Sequence, residues 1–207
     1  MAKFNKGFFY RKGKKNTKAL NTKRSIVPSN SNKEWANLVS TLTDGSRSVA
    51  NYYDELETTS IHVLTTLNGG GKVCATIGLM DVEHEPPTEI LIDSVSVEID
   101  LENIIATAAF YIMKDGWKIS PGAIFETLVA EYHPELDVKH LLFVPQYQWG
   151  KTLSKVKLEQ GYIYPLLAVG ITKEELNFIS KNGVAALEAI WEKNNVNVFN
   201  WHRSSSV

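Results

Sequence analysis

Hydrophobic residues change their spacing along the chain, and each change predicts a different element. Between residues 61 and 79, apolar and polar residues alternate in two runs that are separated by Asn68-Gly69-Gly70-Gly71. Two alternating runs around a glycine-rich turn predict a β-hairpin. A third strand is expected from Glu89 to about Val97, because it follows the chain-breaking pair Pro86-Pro87.

Helical spacing occurs first between Glu34 and Glu57, where apolar residues recur every three or four positions. This segment predicts a helix that is interrupted near Asp44-Gly45. A second helix is expected to begin after Asp100, whose side chain could cap it, and to end at Asp115-Gly116.

The last third of the chain carries the most specific local signal. Thr172 and Glu175 have the spacing of a capping box, so a helix is expected to begin there and to stop or bend at Gly183. Three further strands are expected near residues 123–128, 141–144 and 162–169, with prolines marking their ends. The order of helices and strands predicts an α+β fold, a single domain whose mixed, largely antiparallel sheet has helices packed on it.

The charged residues are distributed unevenly. Of the 22 basic residues, ten lie in residues 1–33, which contain none of the 23 acidic residues. The remaining chain therefore carries 12 basic against 23 acidic residues. This composition predicts that residues 1–33 form a basic, disordered tail and that residues 34–207 form the folded domain.

The acidic domain restricts the classes of partner. Nucleic-acid binding needs cationic contacts to phosphate, so the domain itself is not expected to bind nucleic acid. A basic protein partner fits better, because opposite charges speed encounter and favour that partner over others. The basic tail leaves two roles open, as a solubilising extension or as a tether to nucleic acid or a membrane surface.

Membrane and secreted proteins are not favoured by this sequence. It has no run of about 18 apolar residues, and no apolar segment follows the basic N-terminus, so neither a membrane span nor a secretory signal is expected. The single cysteine, Cys74, cannot form an internal disulfide, which favours a reducing, cytoplasmic location.

Eight short segments resemble the suppressor-of-fused-like domain family by their order and spacing over roughly residues 49–193. They are Tyr52-Tyr53, Ala75-Thr76-Ile77-Gly78-Leu79-Met80-Asp81-Val82, Glu89-Ile90-Leu91-Ile92, Gly116-Trp117, Pro121-Gly122, Leu141-Leu142-Phe143-Val144-Pro145, Ile171-Thr172-Lys173-Glu174-Glu175-Leu176 and Asn182-Gly183. The resemblance implies a protein-binding domain without catalytic residues. At 207 residues the chain is not expected to include the second domain with which the long animal members bind a transcription factor. Short bacterial members are similar to immunity proteins of polymorphic toxin systems, which implies a toxin as the partner.

The most concentrated acidic segment is the candidate partner-binding site. It contains Asp81, Glu83, Glu85, Glu89 and Asp93, which we expect to face a cationic surface on a toxin. The leading hypothesis is a bacterial, cytoplasmic, non-enzymatic immunity protein that neutralises a toxin by occluding its active surface, with no cofactor. The alternative is a regulatory protein-interaction module that its basic tail tethers to nucleic acid or a membrane.

The acidic segment and the three glycines each allow a chemical role beside a structural one. Asp81, Glu83, His84 and Glu85 could bind a metal ion, but they lack the spacing of known metal motifs, so an exposed acidic loop is expected. Lys72 follows the three glycines but precedes a strand, so the glycines are expected to form a turn, not a phosphate loop.

A hydrolase is the third alternative. Cys74 lies among apolar residues, where a thiol is inert. His133 lies between Glu131 and Glu135 and could pair with either. An acid–base pair would still need a pocket in which histidine and carboxylates converge.

Overall fold

The fold is a mixed sheet between two layers of helices, as seen in a computed structural model that describes residues 10–11, 28–54, 56–82, 85–149 and 153–207. The strands are β1 (Tyr10–Arg11), β2 (Arg47–Tyr53), β3 (Ser60–Asn68), β4 (Gly71–Ile77), β5 (Ile90–Ser94), β6 (Ile124–Phe125), β7 (Val138–Pro145), β8 (Val156–Leu158), β9 (Gly161–Ile163) and β10 (Leu166–Thr172). The helices are α1 (Asn30–Ser40), α2 (Leu101–Asp115), α3 (Leu128–Tyr132), α4 (Lys173–Asn182) and α5 (Val184–Lys193). Eight strands form one sheet in the order β1-β2-β3-β4-β5-β10-β7-β6, and β8 pairs with β9.

The strand directions confirm the predicted α+β class. Within the large sheet every pair is antiparallel except β5 with β10, which run parallel. Strands β5 and β10 lie in the middle of the sheet and are buried along their whole length. Strands buried on both faces need no polar side, which explains their apolar runs in place of alternation.

Each face of the sheet has its own hydrophobic core. On one face, α2 packs against β3, β4 and β5. On the other face, α1 and α5 contribute Trp35 and Trp191. Successive residues of β5 point to opposite faces, so Ile90 and Ile92 belong to the first core and Leu91 to the second.

The glycine-rich turn joins β3 to β4, as predicted. Asn68 pairs with Gly71, and Gly69 and Gly70 between them have φ angles of 54° and 103°, which glycine adopts without strain. Lys72 follows the turn and is buried, with its Nζ 2.6 Å from Oε2 of Glu102 on α2. The lysine therefore fastens α2 to the hairpin, and the turn does not form a phosphate loop.

The predicted helix from Glu34 to Glu57 is wrong in its second half. Helix α1 ends at Ser40, and the chain then forms β2, which pairs with β3 over its full length. Residues two apart share a face there: Ala50 and Tyr52 contact the first core, while Val49 is 55% exposed. Aromatic and β-branched side chains fit such a half-buried strand, and that preference outweighs the helical spacing.

Two parts of residues 1–33 lie in regular structure. Strand β1 pairs Tyr10 with Tyr53 and Arg11 with Tyr52. Helix α1 begins at Asn30, before the expected domain boundary at residue 34. Residues 1–9 and 12–27 lie outside the described residues, so the expected disorder of the tail stays a prediction.

The helix ends show which capping signals are used. The capping box is confirmed, because Oγ1 of Thr172 accepts a hydrogen bond from Glu175 N and Oε2 of Glu175 accepts one from Thr172 N. Asp100 precedes α2 as expected, but its side chain makes no capping hydrogen bond. Of the helices in the described ranges, none has the length and hydrophobicity that crossing a membrane requires.

Candidate partner-binding surface

The predicted acidic residues separate into an exposed and a buried group. Asp81 ends a short 3-10 turn and is exposed, and its Oδ2 accepts a 2.7 Å hydrogen bond from Nδ2 of Asn32 on α1. Glu85 is also exposed, and Glu83 lies outside the described residues. We call Asp81 and Glu85 the acidic loop, and these two remain candidates for contact with a partner.

Glu89 lies in the interior of the protein, just before β5. Its side chain is fully buried, and its Oε2 accepts a hydrogen bond of 2.5 Å from Thr76 Oγ1. Its Oε1 accepts hydrogen bonds of 2.8 Å from Gly78 N and 3.0 Å from Met80 N. Burial raises the pKa of Glu89 to about 8, although these hydrogen bonds favour the charged form. Glu89 thus stabilises the turn after β4 and is not part of the candidate surface.

Asp93 is also internal, with 7% of its surface exposed on β5. Gln148 Nε2 donates a hydrogen bond to its Oδ2, and Trp201 Nε1 donates one of 2.9 Å to its backbone carbonyl. Burial raises the pKa of Asp93 as well. The internal contacts of Glu89 and Asp93 hold the centre of the sheet, so neither side chain belongs to the exposed acidic surface.

A shallow apolar groove adjoins the acidic loop. Pro86, which directly follows Glu85, lines this groove. The cavity has a volume of about 210 Å³. We call it the proline groove, because four of the seven prolines of the chain line it. Its lining residues are Pro86, Thr88, Ile119, Ser120, Pro121, Pro145, Ser154, Tyr164, Pro165 and Leu166.

The proline groove forms where three central strands meet the edge of the sheet. Strands β5 and β10 begin there, and β7 ends there at Pro145. Proline has no N–H group, so the ladder of strand hydrogen bonds stops at these positions. The two entering loops bind each other, since Thr88 Oγ1 donates to Tyr164 O at 2.6 Å and Tyr164 N donates to Pro87 O at 2.9 Å. These bonds fix the position of the groove wall.

Tyr164 forms an aromatic rim of the proline groove, and Tyr162 lies two positions before it in the chain. Tyr162 and Tyr164 are 47% and 37% exposed. The Nζ atom of Lys155 lies 4.2 Å from the ring centroid of Tyr162 and 5.5 Å from that of Tyr164. Exposed tyrosines beside an apolar surface commonly anchor protein interfaces. The rim, the groove and the acidic loop together suit contact with another protein.

The catalytic candidates have structural roles. His133 Nδ1 lies 2.9 Å from Glu135 Oε1, and its Nε2 accepts a 2.9 Å hydrogen bond from Asp100 N, so both ring nitrogens are engaged. Cys74 is buried, and burial raises the pKa of its thiol. Within the described ranges, no group of three or more histidine, cysteine, aspartate or glutamate residues is placed to hold a metal ion. The predicted loop set is not covered by that finding, because residues 83 and 84 lie outside those ranges.

The sheet topology defines a single α+β domain. A family model described as Suppressor of fused protein (SUFU) matches residues 75–204 of the chain. The match covers more than half of the 207 residues, and the chain belongs to the suppressor of fused family. The resemblance that the short sequence segments indicated is therefore confirmed.

Individual relatives give the same result. Immunity protein YqcF of Bacillus subtilis (strain 168) is 27% identical over 173 residues, which are 79% of this chain and 90% of that protein. The SUFU homolog from Neisseria gonorrhoeae FA 1090 superposes with a TM-score of 0.68 at 14% identity, over 86% of this chain and 96% of that one. A chain of the Sufu-Fu complex crystal structure superposes with a TM-score of 0.61 at 14% identity, over 87% of this chain and 93% of that one. Drosophila Suppressor of Fused superposes with a TM-score of 0.55 at 14% identity, over 77% of this chain and 47% of that one. The solved structures show a shared fold, and the curated relative supports a protein-binding role.

Proposed function

We propose that this chain is a cytoplasmic immunity protein that binds a toxin and neutralises it by occluding its active surface, with no catalysis of its own. The observation that carries the proposal is the 27% identity to Immunity protein YqcF across 90% of that protein. A match over nearly the full length of a relative supports a shared mode of action more strongly than a match to one segment does.

Charge gives the proposal its physical basis. Residues 34–207 carry 12 basic against 23 acidic residues, so the domain attracts a basic surface such as the substrate groove of a nuclease. Opposite charges speed the encounter, and apolar contact in the proline groove slows dissociation. Pairs of nucleases and immunity proteins are among the tightest non-covalent complexes known.

The acidic loop is the part of the surface to test first. Asp81→Asn combined with Glu85→Gln removes two exposed charges and keeps an acceptor for the hydrogen bond from Asn32. We expect binding to a toxin that the wild type neutralises to weaken about tenfold, because each exposed charge pair contributes up to about 1 kcal/mol. Calorimetric titration measures the affinity, and survival of toxin-expressing cells measures the protection. The difference from the wild type should shrink at high salt.

A matched control removes two charges elsewhere. Asp44→Asn combined with Asp115→Asn neutralises two exposed acids that lie outside both the acidic loop and the proline groove. This variant should bind nearly as the wild type does. If the loop variant keeps the wild-type affinity and salt dependence, Asp81 and Glu85 do not belong to the interface.

The ten basic residues among residues 1–33 favour a second candidate function, a regulatory module tethered to nucleic acid or a membrane. A variant that starts at residue 28 lacks most of this charge and β1, but keeps Ser29, whose Oγ caps α1. An immunity protein is expected to protect cells without residues 1–27. A tethered module is expected to lose co-sedimentation with DNA or with anionic vesicles. If the variant loses both protection and co-sedimentation, the tethered regulatory module replaces the immunity protein as the proposed function.

A further inference from the structure

A second concave surface lies between α5 and the segment that follows β7. Its cavity has a volume of about 520 Å³, within the range of sites that bind small ligands. We call it the α5 cleft, and it shares no lining residue with the proline groove. The lining residues that matter below are Tyr147, Glu188, Trp191, Glu192, Val196 and Val198.

The floor of the α5 cleft is apolar and held in position. Trp191 and Val198 are each 7% exposed. Trp191 Nε1 donates a 3.1 Å hydrogen bond to Oε1 of the buried Glu175, and Trp191 O accepts one of 2.9 Å from Val196 N. Because these bonds already restrain the floor, little conformational freedom is lost when another group packs against it.

The rim of the α5 cleft is acidic, and its charges are unfavourable for the helix that carries them. Glu188 and Glu192 are exposed and one turn apart, and within the part of the chain that the structure describes neither forms an ion pair. Like charges at this spacing repel each other. Glu192 also lies in the last turn of α5, where the helix dipole disfavours a negative charge. The stability of α5 therefore does not account for these two residues.

Tyr147 completes the rim with a ring that is 53% exposed. Tyr147 and Glu188 line the same cavity. Burial and the charge of Glu188 both raise the pKa of the Tyr147 hydroxyl. Aromatic rings bind cations over their faces, and carboxylates bind them through charge-assisted hydrogen bonds. The rim and the floor of the α5 cleft thus suit a long side chain with a cationic end.

We infer that the α5 cleft binds an arginine side chain from a basic segment of the protein partner. The inference rests on the proposed function, because it names the chemistry of that partner. The aliphatic part of the arginine would lie against Trp191, Val196 and Val198. A planar guanidinium can lie flat on a ring and donate paired hydrogen bonds to a carboxylate, whereas the ammonium of lysine acts as a compact point charge. The acidic excess of residues 34–207 favours this basic occupant over a neutral apolar segment.

The test uses the full chain and two short peptides. One peptide contains glycine–arginine repeats, and the other has citrulline, a neutral isostere, in place of each arginine. Amide NMR titration is expected to show shifts at Tyr147, Glu188 and Glu192, with the arginine peptide binding about tenfold more tightly. Glu188→Gln combined with Glu192→Gln should bring the two affinities together. The control variant with Asp44→Asn and Asp115→Asn should keep the difference, because neither residue lines the α5 cleft.

The stability of the cleft variant separates loss of binding from loss of structure. Removing the repulsion on α5 should raise the melting temperature by about 1–4 °C. Lost arginine preference in a variant at least as stable as the wild type would support the inference. Equal binding of both peptides by the wild type, or an equal loss in the control variant, would overturn it.

The peptide experiment is independent of any toxin. Arginine-specific binding at the α5 cleft without toxin neutralisation would remove the proposed function and leave the cleft as a binding site. If the cleft variant neutralises the toxin and binds it with unchanged affinity, the inference is overturned and the proposed function remains in place.

Discussion

Raising the pH from 4.5 to 8 is expected to destabilise the folded chain, and Glu89→Gln is expected to remove most of this effect. Burial raises the pKa of Glu89 from 4.5 to about 8, against the opposing hydrogen bonds from Thr76, Met80 and Gly78. Between these two values the folded chain keeps a proton that the unfolded chain releases. The stability linked to Glu89 is therefore fully present below pH 4.5 and is lost as the pH rises through 8.

The effect should be large, because each unit of difference between the folded and unfolded pKa corresponds to about 1.4 kcal/mol. The free energy of unfolding should fall by several kcal/mol over the range. Glutamine resembles the protonated acid, since its carbonyl oxygen can accept the hydrogen bonds from Gly78 N and Met80 N that Oε1 accepts. Its amide group would then face Thr76 Oγ1. The variant should keep its stability where the wild type loses it.

Urea unfolding at a series of pH values measures the effect in the wild type, in Glu89→Gln and in Glu85→Gln. Glu85 is exposed in the same segment, so its variant should follow the wild type. Burial lowers the pKa of His62 and His140. Near the pH where these histidines titrate, the free energy of unfolding therefore rises with pH, which is opposite to the effect of Glu89. All three proteins contain both histidines, so the difference between wild type and Glu89→Gln isolates Glu89. Parallel curves for these two proteins would contradict the prediction.

Removal of the Arg203 guanidinium is expected to lower the free energy of unfolding by about 3–5 kcal/mol. Its Nη1 and Nη2 lie 2.7 and 2.8 Å from the two carboxylate oxygens of Glu175, which is fully buried. Although burial opposes ionisation, Arg203 holds the pKa of Glu175 below its ordinary value. Arg203→Met keeps an unbranched apolar side chain at this position but leaves a buried carboxylate without its cation.

Thermal and urea unfolding of three variants check this prediction. Glu175→Gln added to Arg203→Met should restore part of the lost stability, because it removes the uncompensated charge. Arg47→Met changes an exposed arginine on β2 and should shift stability by less than about 0.5 kcal/mol. A loss below about 1 kcal/mol in Arg203→Met, the size expected for an exposed pair, would show that the ion pair does not hold the last residues in place.

Local patterns in the sequence predicted the elements that depend on neighbouring residues. The turn at Gly69 and Gly70 and the capping box of Thr172 and Glu175 were both predicted correctly, because each is decided within a few positions. The helical spacing of residues 49–56 was misleading, because pairing with β3 decides the structure of that segment. Residues 60–66 of β3 supply that pairing from a distance along the chain.

The candidate site was harder to predict for the same reason. Glu89 and Asp93 flank the apolar run Ile90-Leu91-Ile92, and their charges suggested an exposed surface. Only the position of β5 between β4 and β10 shows that both are internal. The α5 cleft gave no signal in the sequence, since Tyr147 lies 41 positions before Glu188 and no local pattern connects them. Contacts between segments that are far apart in the sequence determine both the burial of these two acids and the formation of the α5 cleft, and no short stretch of sequence contains such contacts.

The contact of Arg203 with Glu175 also constrains how the protein is made. Ser206 Oγ adds a 2.7 Å hydrogen bond to the same carboxylate. The counter-ion of Glu175 is therefore missing until the ribosome has translated the chain beyond residue 203. Nascent products that stop earlier would carry a buried anion without its counter-ion and would be cleared by cellular proteases.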